Sequence, residues 1–161
     1  MATAKTADPH EAKEKFWKAL DHSPFVFLQL DGSPHGAVPM TAQLDEEADS
    51  AIWFFTSRDH HFAAGGPATA TFAAKDHGLF ARFEGHLAEE TSRERLDKEW
   101  SRPVAAWFPQ GKDDPNLLML RMDLGAAEIW EADLSLIEGV KLLLGKDVHE
   151  TAQAKHTETT L

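Results

Sequence analysis

Within the six residues Thr56-Ser57-Arg58-Asp59-His60-His61 the chain places two hydroxyls, a guanidinium, a carboxylate and two imidazoles. They follow the apolar strand formers Ile52, Trp53, Phe54 and Phe55, at the point where a segment RDHHFAA reads as the start of a short helix. A helix N-terminus offers unpaired N–H groups and a partial positive charge, so this junction has the makings of an anion site, with Arg58, His60 and His61 as cationic support. The same residues also read as local structure alone, with Ser57 or Asp59 capping the helix and Arg58 solvated. A second unusual stretch is Val38-Pro39-Met40-Thr41-Ala42. Proline inside an apparent strand removes a ladder donor and confines the strand to an edge, which frees the backbone of Met40, Thr41 and Ala42 to meet a ligand.

Other chemistries find less support. There are nine histidines, but the adjacent pair His60-His61 diverges on a helix and no HxxxH or HExxH spacing occurs, so no metal site is expected. Cysteine is absent, which removes disulfides, thiolate ligands and thiol nucleophiles. No GxSxG elbow, GxGxxG turn or GxxxxGK[ST] loop is found, and no catalytic acid, base or nucleophile can be singled out. The formal net charge of −11, with the basic residues scattered, disfavours a nucleic-acid partner. No apolar run reaches the length of a membrane span and the N-terminus lacks a signal-peptide core, so no membrane partner is expected and the cytoplasm is the simplest location.

The elements that must position these residues are mostly strands. Asp8-Pro9 opens a helix with Phe16, Trp17 and Leu20 as its apolar stripe, and Ser23-Pro24 ends it. FVFLQLD and AVPMTAQL form a hairpin about GSPHG, DEEADS is an acidic connector, and AIWFFTS is a third strand. ATATFAAK and LFARFEGHLAEE flank the turn DHG; in the second, Phe80, Arg82, Glu84 and His86 alternate with Ala81, Phe83, Gly85 and Leu87. SRERLDKEW, capped by Ser92, runs towards VAAWF as one helical insertion before PQGKDDP breaks the chain. NLLMLRMDLGAAEIWEA is one long strand or a bent pair, with a bulge at Gly125. LSLIEGVKLLLGK reads as a short helix, and the final β-branched residues either add a strand or stay mobile. The expectation is a single domain over residues 1–161 with its core at about 10–133 and a C-terminal segment, 134–161, that is partly helical or mobile. Its class is mainly β: an antiparallel barrel or curved sheet with helices packed outside.

The series FWKAL, PMTAQL, WFFTSRD, EGHLAEE, AAWFPQGKDDP and AEIWEAD resembles, in order and spacing, the general stress protein branch of the pyridoxamine 5′-phosphate oxidase-like family. The likeness spans roughly residues 14–133. It implies an FMN-binding split β-barrel, a homodimer, with the flavin in a cleft at the subunit interface. It implies that Val38, Pro39, Met40, Thr41 and Ala42 line the ring system and ribityl chain and that Phe54 and Phe55 carry the strand. Thr56, Ser57 and the helix start would approach the phosphate, and Trp107 and Trp130 would close the cleft. Two positions depart from the family pattern: Val38 stands where members often carry arginine, and Phe62 where they carry lysine, so Arg58, His60 and His61 are left as the available cations. The functional expectation is an FMN-binding general stress protein, either a flavin-dependent oxidoreductase of unknown substrate or a non-enzymatic flavin-binding or ligand-free dimer.

Overall fold

A computed structural model describes residues 8–48, 50–132 and 155–161. Helix α1 (Pro9–His22) is capped by Asp8, whose carboxylate accepts from the backbone of His10, with Pro9 in the first turn where its missing N–H is not needed. Seven strands follow in one antiparallel sheet: β1 (Phe25–Leu30), β2 (Val38–Thr41), β3 (Ala51–Ser57), β4 (Gly66–Ala73), β5 (Leu79–Glu89), β6 (Leu117–Glu131) and β7 (Lys155–Thr160). The spatial order is β2-β1-β4-β5-β6-β3, with β7 also paired to β6. The two ends of that order curl together, and among the described residues their backbones pair at one place, where Gln43 bridges Trp53. The fold is the expected antiparallel split barrel, and the chain's last residues take the strand option as β7, along Ala126–Glu131. The expected helix LSLIEGVKLLLGK lies outside the described residues.

Burial explains which strands alternate. On β5, Leu79, Ala81, Phe83 and Leu87 point into the barrel while Phe80, Arg82, Glu84 and His86 point out, the two-residue period of a sheet with one covered face. On β3, Ala51 to Phe54 are all buried because both faces are covered. Ile52 and Phe54 enter the barrel core, and Ala51 and Trp53 enter a second core against Leu96, Val104 and Phe108. Helix α1 stops the barrel with Ala12, Phe16 and Leu20, each fully buried, and Phe16 packs edge-on against Phe72 and Phe83. Burying a Phe or Leu side chain contributes about 1.5–3 kcal/mol, which makes this face of the helix a principal support of the barrel.

Two expectations about helices are corrected. The insertion after β5 is two helices, α2 (Arg93–Glu99) and α3 (Arg102–Trp107), with Trp100 and Ser101 extended between them. Continuing α2 through Pro103 would drive the proline ring into the carbonyl of the preceding turn, so the helix restarts with Pro103 in the first turn of α3. The segment RDHHFAA holds only a 3₁₀ turn, at His61–Ala64. Its cap is His60, whose Nδ1 accepts from the Phe62 N–H; neither Ser57, the last residue of β3, nor Asp59 caps it. Gly65, at φ 65°, closes the turn.

The bend at Gly125 is a β-bulge: the β5–β6 register moves from Phe83 opposite Ala127 to Gly85 opposite Leu124, leaving Gly125 and Ala126 against Glu84. The residue that the crossing cannot do without is Gly85. A Cβ there would lie 2.4 Å from the Asp123 carbonyl oxygen and 2.9 Å from Met122 Cγ. Gly85→Ala is expected to lower unfolding free energy by about 1–3 kcal/mol through overpacking. Gly36→Ala, with nothing within 4 Å of the new carbon, should stay within about 0.5 kcal/mol of the parent. Urea denaturation of the two variants checks the contrast.

Candidate functional site

Because β2 and β3 meet at a single bridge, their edges beyond it have no strand partner among the described residues. The bridge itself is well formed: Gln43 N–H donates to the Trp53 carbonyl at 2.8 Å and Trp53 N–H to the Gln43 carbonyl at 3.1 Å. Past it lies a cleft of about 380 Å³, at the small end of the range for ligand sites. One wall is Pro39, Met40 and Thr41 of the β2 edge, the opposite wall is Phe55, Thr56 and Ser57 of β3, and α3 roofs it with Pro103, Val104 and Trp107. Gln43, Phe108 and Asn116 complete the lining. Trp107 is 82% exposed. The lining is apolar on its broad faces and carries hydroxyls, an amide and unpaired strand edges at its rim. Among the described residues no Asp, Glu, His, Lys or Arg lines it.

The structure thus gathers seven of the residues proposed from sequence, Pro39, Met40, Thr41, Phe55, Thr56, Ser57 and Trp107, into one cleft. It sets the others elsewhere. Ala42, Phe54 and Phe62 are buried in the barrel core, and Val38 packs partly against it. Phe62 is fully buried and therefore does not take the place of a phosphate-facing lysine. Arg58 does not reach in as a free cation: it pairs with Glu89 at 2.9 Å beside a separate recess under α2. His60 and His61 stack on each other at 4.3 Å between centroids. Burial holds both imidazoles below the ordinary histidine range, so they stand as neutral rings in place of the expected cations. Trp130 lies on the outward face of the sheet opposite Phe80, stacked on His156 and 5.7 Å from the Arg82 guanidinium.

Gln43, Pro103, Val104, Phe108 and Asn116 were not anticipated. Gln43 is legible only once β2 and β3 are known to meet, whereas the RPVAAWF segment carried a usable signal: a proline in the first turn of an amphipathic helix that ends on two aromatics.

The roof is held by charge. Arg95 of α2 lies flat over the Trp53 ring, 3.9 Å from its centroid, and binds Asp45 and Glu99, the latter at 3.0 Å. Lys98 binds Asp45 at 2.8 Å, and the Lys98 and Arg95 bonds hold the Asp45 carboxyl well below the usual carboxylate range. Burial pushes the Glu99 carboxyl up, partly offset by Arg95. Trp53 Nε1 donates to Glu90 at 3.2 Å. The network ties the acidic connector, α2 and β3 together behind the cleft.

The model of the family described as pyridoxamine 5′-phosphate oxidase like matches residues 11–151. This chain belongs to the pyridoxamine 5′-phosphate oxidase-like family. Its fold aligns with a general stress protein 26 from Jannaschia sp. CCS1 at a TM-score of 0.77 and 26% identity, covering 96% of this chain and 100% of that one. A general stress family protein of Xanthomonas campestris pv. campestris aligns at 0.75 with 44% identity over 82% of this chain and 94% of that one. The general stress FMN/FAD binding protein of Xanthomonas citri aligns at 0.74 with 44% identity over 80% and 94%. These likenesses put the chain in the general stress branch of the family. No curated protein matches it. Among the described residues no helix is long and apolar enough to cross a membrane.

The position of Phe62 makes a direct expectation. Phe62→Lys removes a fully buried ring and forces an ammonium into the barrel core, so it should cost at least about 3 kcal/mol of stability. A urea titration of the variant that overlays the parent would show that residue 62 faces solvent or a ligand.

Proposed function

We propose that this protein binds FMN in the split between β2 and β3 and serves as a flavin-dependent oxidoreductase. The cleft carries the proposal: two unpaired strand edges face each other across apolar walls sized for a flat heteroaromatic ring. The fold is one on which the Xanthomonas citri relative is an FMN/FAD binding protein. The residues fit the ring system well. Met40, Phe55 and Val104 give apolar surface to its faces, and the backbone edge of Thr41 with the Asn116 amide gives donors and acceptors to its heteroatoms. The fit to a phosphate is poorer, with only the Thr41, Thr56 and Ser57 hydroxyls and neighbouring backbone available.

Bound flavin would supply hydride and electron transfer; this chain's residues would bind it, orient it and keep water from one face. Among the described residues no titratable side chain lines the cleft, so none of them supplies an acid or base there. The same observation favours the second reading, a non-enzymatic flavin-binding protein.

A second copy of the chain is the proposed cover. Trp107 projects from the cleft mouth, and Phe25, Phe27 and Phe80, which are 60%, 54% and 39% exposed, lie on one outward sheet face with Trp130 beside Phe80. Adjacent exposed aromatics on a sheet mark an interaction surface. Location in the cytoplasm and a single domain over the whole chain complete the proposal.

FMN and riboflavin titrations followed by flavin fluorescence test the site. FMN is expected to bind, Trp107→Ala to weaken it by about tenfold, corresponding to roughly 1.4 kcal/mol, and Trp17→Ala, on α1 away from the cleft, to leave affinity unchanged. Absence of binding by either flavin, with the fold intact, defeats the proposal. Steady oxidation of a reduced nicotinamide by the loaded protein separates the enzyme from the binding protein, and light scattering at micromolar concentration is expected to give twice the 17.9 kDa chain mass.

A further inference from the structure

The register set by the Gln43–Trp53 bridge continues past the cleft. Counted antiparallel from that bridge, Thr41 falls opposite Phe55, Pro39 opposite Ser57, and His35 opposite His61. At that last place the two edges touch again, through side chains: His35, in the turn between β1 and β2, stacks on His61 with centroids 4.2 Å apart and planes within 18°. His60 stacks on His61 as well, with centroids 4.3 Å apart. The split is therefore bounded at one end by a backbone bridge and at the other by three histidines.

We propose that the His35–His61–His60 stack is an acid-sensitive clasp on the cleft, closed while the rings are neutral and opened when they take up protons. Two observations carry this. Among the described residues His61 Nε2 is buried without a hydrogen-bond partner, a position where a non-titrating ring would cost less, so the imidazole there is left unexplained by packing. Stacked rings at this distance also cannot all become imidazolium without placing like charges in contact.

The surroundings do little to relieve such charge. Asp59, next to His60, favours its protonation, but the Ser57 hydroxyl already donates to that carboxylate. Of the carboxylates on the adjoining strand ends, Asp31 after β1 accepts from Thr69 at 2.7 Å and Glu89 of β5 pairs with Arg58. The other two rings only oppose protonation of His61. Burial first, and the neighbouring rings second, hold His61 below the ordinary range. The sign follows: an open clasp, with His60 and His61 at their usual values near 6.5, binds more protons than a closed one. Closure is thus fully present above about pH 6.5 and lost as pH falls below it, by up to tenfold per pH unit for each proton taken up. The turn that would move is held lightly, by the Gln29 amide donating to the His35 carbonyl at 3.3 Å and His35 N–H donating to Ser33 Oγ at 3.1 Å.

Hydrogen exchange of residues 31–37 and 58–62 at pH 7.5 and 5.5, corrected for intrinsic rates, tests the clasp without any ligand. The parent is expected to exchange several-fold faster at the lower pH. His61→Phe, which keeps a stacking ring and loses no hydrogen bond at the unpartnered nitrogen, should stay protected at both. An unchanged parent, or a variant that opens like the parent, overturns the proposal. The consequence for the cleft rests on the flavin reading: FMN should dissociate several-fold faster at pH 5.5 than at 7.5 from the parent and at one rate from His61→Phe. The exchange result decides the clasp whether or not flavin binds.

Discussion

A sheet that curls far enough to bring its two edges together must either zip them or leave them apart, and here two hydrogen bonds between Gln43 and Trp53 do the first at one residue pair only. Everything of functional interest depends on that partial closure. Were β2 and β3 paired along their length, Thr41 would satisfy the edge at Phe55 and no cleft would exist. Were they unpaired throughout, the backbone edge at Trp53 would be buried without partners, a cost that native structures avoid. Pro39 enforces the compromise, since it brings no N–H to the edge just where pairing with Ser57 would continue.

The bridge in turn depends on what holds Trp53. Its side chain lies outside the barrel, under α2, with Arg95 across its face and Glu90 on its indole nitrogen. Arg95 and Lys98 reach the connector that precedes β3 through Asp45, so a single charged network fixes the strand that carries one wall of the cleft and the helix pair that roofs it. Charge is well used there because Arg95, Asp45 and Glu99 side chains are largely shielded from solvent. A lone surface pair such as Arg58–Glu89 contributes little by comparison.

Much of this was legible in the sequence because it rests on local rules. The cap at Asp8, the strand AIWFFTS, the hairpin about DHG and the edge character of Pro39 all follow from residue types and spacing. Phe62 was misread because HHFAA carries no sign of which way a one-turn 3₁₀ segment faces, and that is settled by the barrel core beneath it. Arg58, His60 and His61 looked like a cationic group because charge can be read from sequence and burial cannot. In the fold, one is neutralised by Glu89 and the other two are held uncharged by burial.

The same distinction bears on how an acidic chain would hold a phosphorylated ligand. With a formal net charge of −11, the long-range field repels an anion, and only short-range donors can offset that within a Debye length of about 8 Å at physiological salt. The cleft's own donors are hydroxyls and strand-edge amides, which recognise position and shape more than charge. In the proposed flavin complex the ring system, with its apolar faces and polar edges, is the part that these donors suit. Charge for a phosphate would then come from outside the described cleft lining, and in the proposed dimer a second subunit against the exposed Trp107 would bring new side chains closest to it.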